Sequence, residues 1–383
     1  NSADGNTGVG TGVLGALTSG DNNVAVGLNA LDLNTTGSSN TAIGKDSLKE
    51  NTTGDQNSAL GLCSLQTNTT GTRNTALGFV ALRDNTTAND NTAVGYETLK
   101  TNTTGSVNTA VGNQAMCKNT TGSNNTALGR TALFTQTTAN SNTAVGYETM
   151  YATTTGASNT ALGKTALDAN TTGACNVAVG VDALGANTTG ALNTAIGECA
   201  LATNTTADNN VAVGARALKA NTTGAANVAM GRNAMEANTT GGDNVALGFN
   251  SLDSNTTGTS NVAIGTTTLD SNTTASGNTA IGRSALGNST TGANNTAIGC
   301  AALLANTTAA GNVAVGDSAL KSATTGAYNV GIGVNAGHCI TTGSNSVLVG
   351  QGTATSLTTG SNILALGNNA GSDGMVNFSA TAA

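Results

Sequence analysis

Residues Asn40 to Gln56 read Asn-Thr-Ala-Ile-Gly-Lys-Asp-Ser-Leu-Lys-Glu-Asn-Thr-Thr-Gly-Asp-Gln, and the next residue, Asn57, starts the pattern again. The period is 17. The glycine at repeat position 5 recurs at Gly10, Gly27, Gly44, Gly61, Gly78 and every seventeenth residue to Gly367, which makes 22 units without an insertion or deletion. A stack of identical coils demands such phase, because one extra residue would push a coil out of line with its neighbours. The repeat region spans 6–379, with 1–5 as an N-terminal extension and 380–383 as a C-terminal tail.

Charge sets the next constraint. All 33 charged residues stand at repeat positions 6, 7, 10, 11, 16 or 17. A charge is costly to bury unless it is paired, so the permitted positions face water. The charge-free ones lie inside or against something. Position 4 is aliphatic or Met in every unit, as at Val26, Ile43, Leu60, Leu77, Met230, Ile264 and Ile281; position 9 is Leu or Met in most, as at Leu31, Leu48, Met116 and Met235. With positions 2 and 4 on one side of a short strand, the position-4 residues Val26, Ile43, Leu60, Leu77, Ile264 and Ile281 are expected in the core. On that register Ile264→Asp would bury an unpaired charge, whereas Asp270→Lys at position 10 would be nearly silent.

Thr, Val and Ile favour strands, and the glycines at positions 5 and 15 break any helix and suit tight corners. No unit has room for a ten-residue helix. The expected fold is therefore all-β, a parallel β-solenoid or β-roll of about 22 coils. Each coil carries a strand at about positions 1–4 and a second near 12–14, with corners at glycines such as Gly27, Gly44, Gly61 and Gly78. At a strand spacing of about 4.8 Å the stack would be about 105 Å long. Each coil offers only two or three large apolar residues, a thin core for one chain. Two devices could offset this. Asn and Thr could stack as ladders along the axis, or several chains could bury the position-3 Ala and position-9 Leu between them. The two acting together, in a homotrimer, are the expectation.

The stretch NTAIGKDSLKENTTGDQNSALG at 40–61 resembles repeats of bacterial and phage tail-fibre-domain proteins, and NVGIGVNAGHCITTGSNSVLVG at 329–350 is similar to the same group. The repeat is also similar to the Asn-Ser-Val-Ala-Ile-Gly units in the heads of trimeric autotransporter adhesins. The resemblance implies a β-roll or β-solenoid, usually trimeric, on an extracellular, cell-surface or virion fibre, with a cell-surface or glycan receptor as a candidate partner. The chain starts at Asn1 with neither an initiator Met nor a signal peptide, so a processed product or part of a longer protein is expected.

Several function classes find no support. The net charge is −7 without basic clusters, which speaks against nucleic acid. No apolar run approaches the roughly 20 residues of a membrane-spanning helix. The single histidine, His338, sits beside Cys339 with no acid nearby in sequence, so no catalytic residue is assigned. The six cysteines, Cys63, Cys117, Cys175, Cys199, Cys300 and Cys339, never match in adjacent coils and form no Cys-x-x-Cys, so they read as free thiols rather than a metal site. No Asp recurs as in calcium-binding β-rolls, and no cofactor is expected.

The Asn-Thr-Thr motif has two readings. It occurs at Asn34, Asn51, Asn68, Asn85, Asn102, Asn119, Asn170, Asn187, Asn204, Asn221, Asn238, Asn255, Asn272 and Asn306, each formally an N-glycan acceptor. The alternative is a buried ladder beside a turn, which the absence of charge at position 12 favours. The adjacent threonines at 13 and 14 point to opposite sides of the chain, so a single Thr rank faces water. That weakens an ice- or polysaccharide-binding face, which stays as an alternative. The main expectation is a non-enzymatic shaft of an extracellular fibre. A rival is an end-to-end filament joined through uncapped terminal coils, with Val13 and Leu14 near one end and Met375, Val376 and Phe378 near the other.

Overall fold

The computed structural model describes residues 3–372; Met375, Val376, Phe378 and the tail 380–383 lie outside them. The chain falls into two units, Asn1–Leu192 and Asn193–Ala383, built alike. In the first, strands β1 (Thr7–Val9) to β11 (Val177–Val179) recur once per repeat, and all pair in parallel. The register is one repeat: Thr41, Ala42 and Ile43 of β3 (Thr41–Ile43) face Ser58, Ala59 and Leu60 of β4 (Ser58–Leu60). In the second unit, β12 (Thr194–Ile196) to β22 (Leu364–Leu366) pair in the same way. The fold is an all-β parallel solenoid of 17-residue coils, and no helix occurs among the described residues.

Every strand is three residues long and occupies positions 2–4. It ends at the position-5 glycine for two separate reasons. Gly27 has φ +131°, a backbone region that residues with a Cβ rarely adopt. A Cβ there would also lie 2.6 Å from the carbonyl oxygen of Gly44 in the next coil. Gly44, Gly61 and Gly78 repeat the conformation at φ +135° to +142°.

No second strand forms near 12–14, contrary to expectation. The Thr35 and Thr36 amides both donate to the Thr52 carbonyl of the next coil, at 2.9 and 3.2 Å. One acceptor serving two successive donors is a bend, since a ladder needs its carbonyls spaced along the strand. The coil turns further at positions 7, 9 and 17, where non-glycine residues such as Asp46, Leu48 and Gln56 have φ of 47° to 57°. A left-handed leucine costs about 1–2 kcal/mol. Complete burial of its side chain is worth roughly 1.5–3 kcal/mol, so burial decides the conformation.

The core differs from the expected one. The position-3 alanines, such as Ala25, Ala42 and Ala59, are buried with the position-9 residues Leu31, Leu48, Leu65 and Met116. Val26, Ile43, Leu60, Leu77, Ile264 and Ile281, assigned to the core above, point to the outer face of the sheet. Val26, Ile264 and Ile281 are half-buried, while Ile43, Leu60 and Leu77 are exposed. The physical reason is width. Across a narrow coil, Leu at position 9 fills the space beneath the strand and leaves room for a methyl group, which Ala supplies. Because positions 3 and 9 are already buried within one chain, they cannot form the interface that a trimer was expected to draw from them.

The polar ladders supply the remaining interior. Asn51 Nδ2 donates to Asn34 Oδ1 of the preceding coil at 2.8 Å and to the Gly54 carbonyl at 3.0 Å. At position 1 the Asn40 amide donates to Asn23 Oδ1 at 3.0 Å, and Asn40 Nδ2 donates to the Gly54 carbonyl at 2.8 Å. Asn23, Asn34, Asn40 and Asn51 of these columns are fully buried. Each bond offsets the desolvation of an amide that would otherwise cost about 1–3 kcal/mol.

Candidate interaction surfaces

The position-12 column determines the fate of the glycan sites. Asn34, Asn51, Asn68, Asn85, Asn102, Asn119, Asn170, Asn187, Asn204, Asn221, Asn238, Asn255, Asn272 and Asn306 are all fully buried. Their Nδ2 atoms, the nitrogens a glycan would occupy, donate inside the chain, as Asn221 does to Asn204 Oδ1 and the Gly224 carbonyl. The folded chain cannot carry glycans there, and the column is the ladder of the second reading. Gln136, which replaces Asn in one coil, still reaches Asn119 Oδ1 and the Ala139 carbonyl, at 3.3 and 3.0 Å.

Beside this column runs the threonine rank. Thr35 Oγ1 donates to the Thr52 carbonyl at 2.9 Å, so the position-13 hydroxyl is spent on the neighbouring coil. The position-14 threonines, such as Thr36, Thr53, Thr70 and Thr104, are exposed. One rank faces water, as the adjacent spacing implied.

The outer sheet face carries positions 2 and 4, and the corner after it carries position 6. Leu60, Leu77, Phe79 and Tyr96 are exposed there, as are Leu128 and Leu162 further along the first unit. Phe79 and Tyr96 stack at 5.3 Å with planes 7° apart, and Arg130 lies 5.5 Å from the Tyr147 ring centroid. These contacts arise because identical positions in successive coils sit one strand spacing apart, a good distance for offset rings. In the second unit Met230, Phe249 and Ile298 are exposed at the same positions.

The position-10 column of the second unit brings several titratable groups together. A cleft of about 410 Å³ opens there between Lys219, Glu236 and Asp253. Lys219 Nζ lies 3.9 Å from Glu236 Oε1. Burial, then the carboxylates of Asp270 and Glu236, push Asp253 up to about 6, and its Oδ1 is buried without a hydrogen-bond partner. Burial also raises Asp270. A carboxyl whose folded pKa exceeds its unfolded value favours folding most when protonated. The contribution is complete below about pH 3.8 and lost as pH rises through about 6. The thermal midpoint of the wild-type chain is therefore expected to rise as pH is lowered from 7 to 4.5. Asp253→Asn should raise the midpoint at pH 7 and flatten that dependence. A variant with the wild-type pH profile would contradict the assignment.

No catalytic constellation assembles around His338. Its Nε2 lies 3.3 Å from the Cys339 sulfur, and its Nδ1 has no hydrogen-bond partner. A nucleophile–base pair needs a third group to orient the base, and that position is not filled. The six cysteines are free. Among the described residues no three His, Cys, Asp or Glu side chains converge as a metal site, and no helix is long and apolar enough to cross a membrane.

No protein-family model matches the chain, and no curated protein matches it.

Proposed function

We propose that the chain is a non-enzymatic shaft module of an extracellular fibre, tail-fibre-like or adhesin-like, that works as a homotrimer and provides reach and display. The observation that carries this reading is the unbroken one-repeat register within each unit. Strand pairing, the Asn ladders and the corner glycines recur coil after coil with no inserted loop. Such a stack grows by adding coils, and each coil depends mainly on its neighbours. Length is then the property the sequence sets. The variable positions 6, 7, 10, 11, 16 and 17 are the ones that carry charge and set the character of the surface. Both the resemblance of the repeat to fibre proteins and its low content of charged residues, 9%, agree with a stiff element rather than a site for chemistry.

Electron micrographs of the purified protein test the reading. Elongated rods of constant width are expected, their length set by the number of coils. Shortening the chain by four whole repeats, 68 residues, should shorten the rods by about 19 Å at one strand spacing per coil. Rounded particles, or rods whose length ignores the deletion, would overturn it.

A further inference from the structure

The outer sheet face presents a conflict between sequence and exposure. Position 4 is Val, Leu, Ile or Met in all 22 repeats, and position 2 carries no charge in any. Charges do occur at six other positions of the same coil, so their absence here is specific to this face. Tripeptides such as Val-Ala-Val and Val-Ala-Leu are the near-continuous apolar runs of parallel strands covered on both faces, and where Thr stands first, as in Thr-Ala-Ile, the strand is still uncharged. The inner face is covered by the position-9 leucines. The outer one is open to water: Leu60 is 48%, Leu128 47% and Leu162 49% exposed, and Met230 in the second unit 44%. Isolated exposed leucines need no explanation, but an aliphatic or Met side chain at position 4 of every coil, none of them fully buried, does.

We propose that this face, positions 2 and 4 of every coil, is the surface through which copies of the chain join, and that its occupant is the same face of another copy. This rests on the self-association included in the shaft reading and names the surface for it. Three arguments select the occupant. The cover must be uncharged and must repeat once per strand spacing, which another copy satisfies at every coil.

Area is the second argument: the face recurs on all eleven strands of the first unit alone, so contact with another copy grows coil by coil toward the about 800 Å² per partner of a standard interface. Charge supplies the third argument. Along the chain the face is preceded by positions 16 and 17, where six acids, including Asp21, Asp55 and Asp90, outnumber one base, Arg73. It is followed by position 6, where five bases, including Lys45, Arg130 and Lys164, outnumber two acids. Two such faces running in the same direction bring each acidic border against a basic one, and three around a common axis do the same. Opposed directions would set like charges together.

Sedimentation velocity of the full chain tests this. The wild type is expected at two or three times 37.0 kDa. The triple variant Leu60→Glu, Leu77→Glu, Leu128→Glu should sediment at 37.0 kDa, with its dissociation constant raised at least about 100-fold. Because these side chains point outward, its strand content should persist. Leu60→Gln, Leu77→Gln, Leu128→Gln provides a milder version should the charges disturb folding. Thr53→Glu, Thr70→Glu, Thr121→Glu, on the exposed threonine rank, should leave the mass at the wild-type value. An associated Leu→Glu variant would overturn the assignment of the face while leaving self-association intact. A wild type that stays at 37.0 kDa would overturn the proposal, as would a single chain whose face adsorbs to ice or polysaccharide. In either case rods in micrographs would still uphold the shaft reading.

Discussion

Replacing Ala161 by Asp is expected to unfold the surrounding coils, whereas replacing its neighbour Leu162 by Asp should barely change the stability of a single chain. The ranking reverses ordinary intuition, in which the leucine is the core residue. Ala161 is fully buried on the inner side of its strand, and Leu162 is 49% exposed on the outer side. A carboxylate at 161 would have neither a cation nor water, and removing such a charge from solvent uncompensated costs about 3–5 kcal/mol. It would also press against side chains sized for a methyl group. At 162 the carboxylate remains hydrated, and surface substitutions usually lie within about 0.5 kcal/mol. Denaturant unfolding followed by circular dichroism, at concentrations where the chain is monomeric, distinguishes the two. Equal losses at both sites would contradict the register of strand and core. The same logic applies to Ile264, whose replacement by Asp should be milder than that of Ala263.

The second large effect concerns the corner. Gly27→Ala is expected to cost at least about 3 kcal/mol, combining the strain of an unfavourable backbone region with a clash. The added Cβ would meet the Gly44 carbonyl oxygen at 2.6 Å, and that oxygen belongs to the backbone of the next coil. Relief requires the coils to separate, which weakens their strand hydrogen bonds. Gly185→Ala is the internal control. It stands at position 10 without positive φ, and a Cβ there would meet nothing nearer than the Asp182 carbonyl oxygen at 3.4 Å. Its cost should stay below about 1 kcal/mol. A thermal melt of each variant reads the difference directly. A tolerated Gly27→Ala would mean that the coil spacing is looser than the parallel register implies.

These two predictions mark the limit of legibility. The period, the strand at the start of each repeat and the glycine corner could all be read from residues alone, because each leaves a composition signal at a fixed position. The exclusion of charge from positions 1, 3, 8, 9, 12 and 15 was a correct sign of burial, and all six are buried in the coil from Asn40 to Gln56. Positions 2, 4 and 14 are also free of charge, yet they are not buried. Exclusion of charge therefore did not distinguish an inner face from an uncovered outer one. The left-handed residues at 7 and 17 had a readable signal, since Asn, Asp, Ser and Gly recur there, as at Asp46, Asn22, Ser39 and Gly277. Leu48 at position 9 had none, because its conformation follows from burial.

Sequence by itself determined a parallel all-β solenoid of 17-residue coils. A constant repeat with glycine at position 5 of all 22 units leaves few other ways to bury a backbone. Tertiary structure alone decided which side of the three-residue strand faces in. Alternation states that positions 2 and 4 share a side, but not which side. The choice depends on the width of the coil, where a buried Leu48 opposite the strand leaves space for Ala42 and none for Ile43. It likewise decided that Asn51 is a ladder rung rather than a glycan acceptor, because only the fold brings Asn34 Oδ1 and the Gly54 carbonyl within reach of its amide.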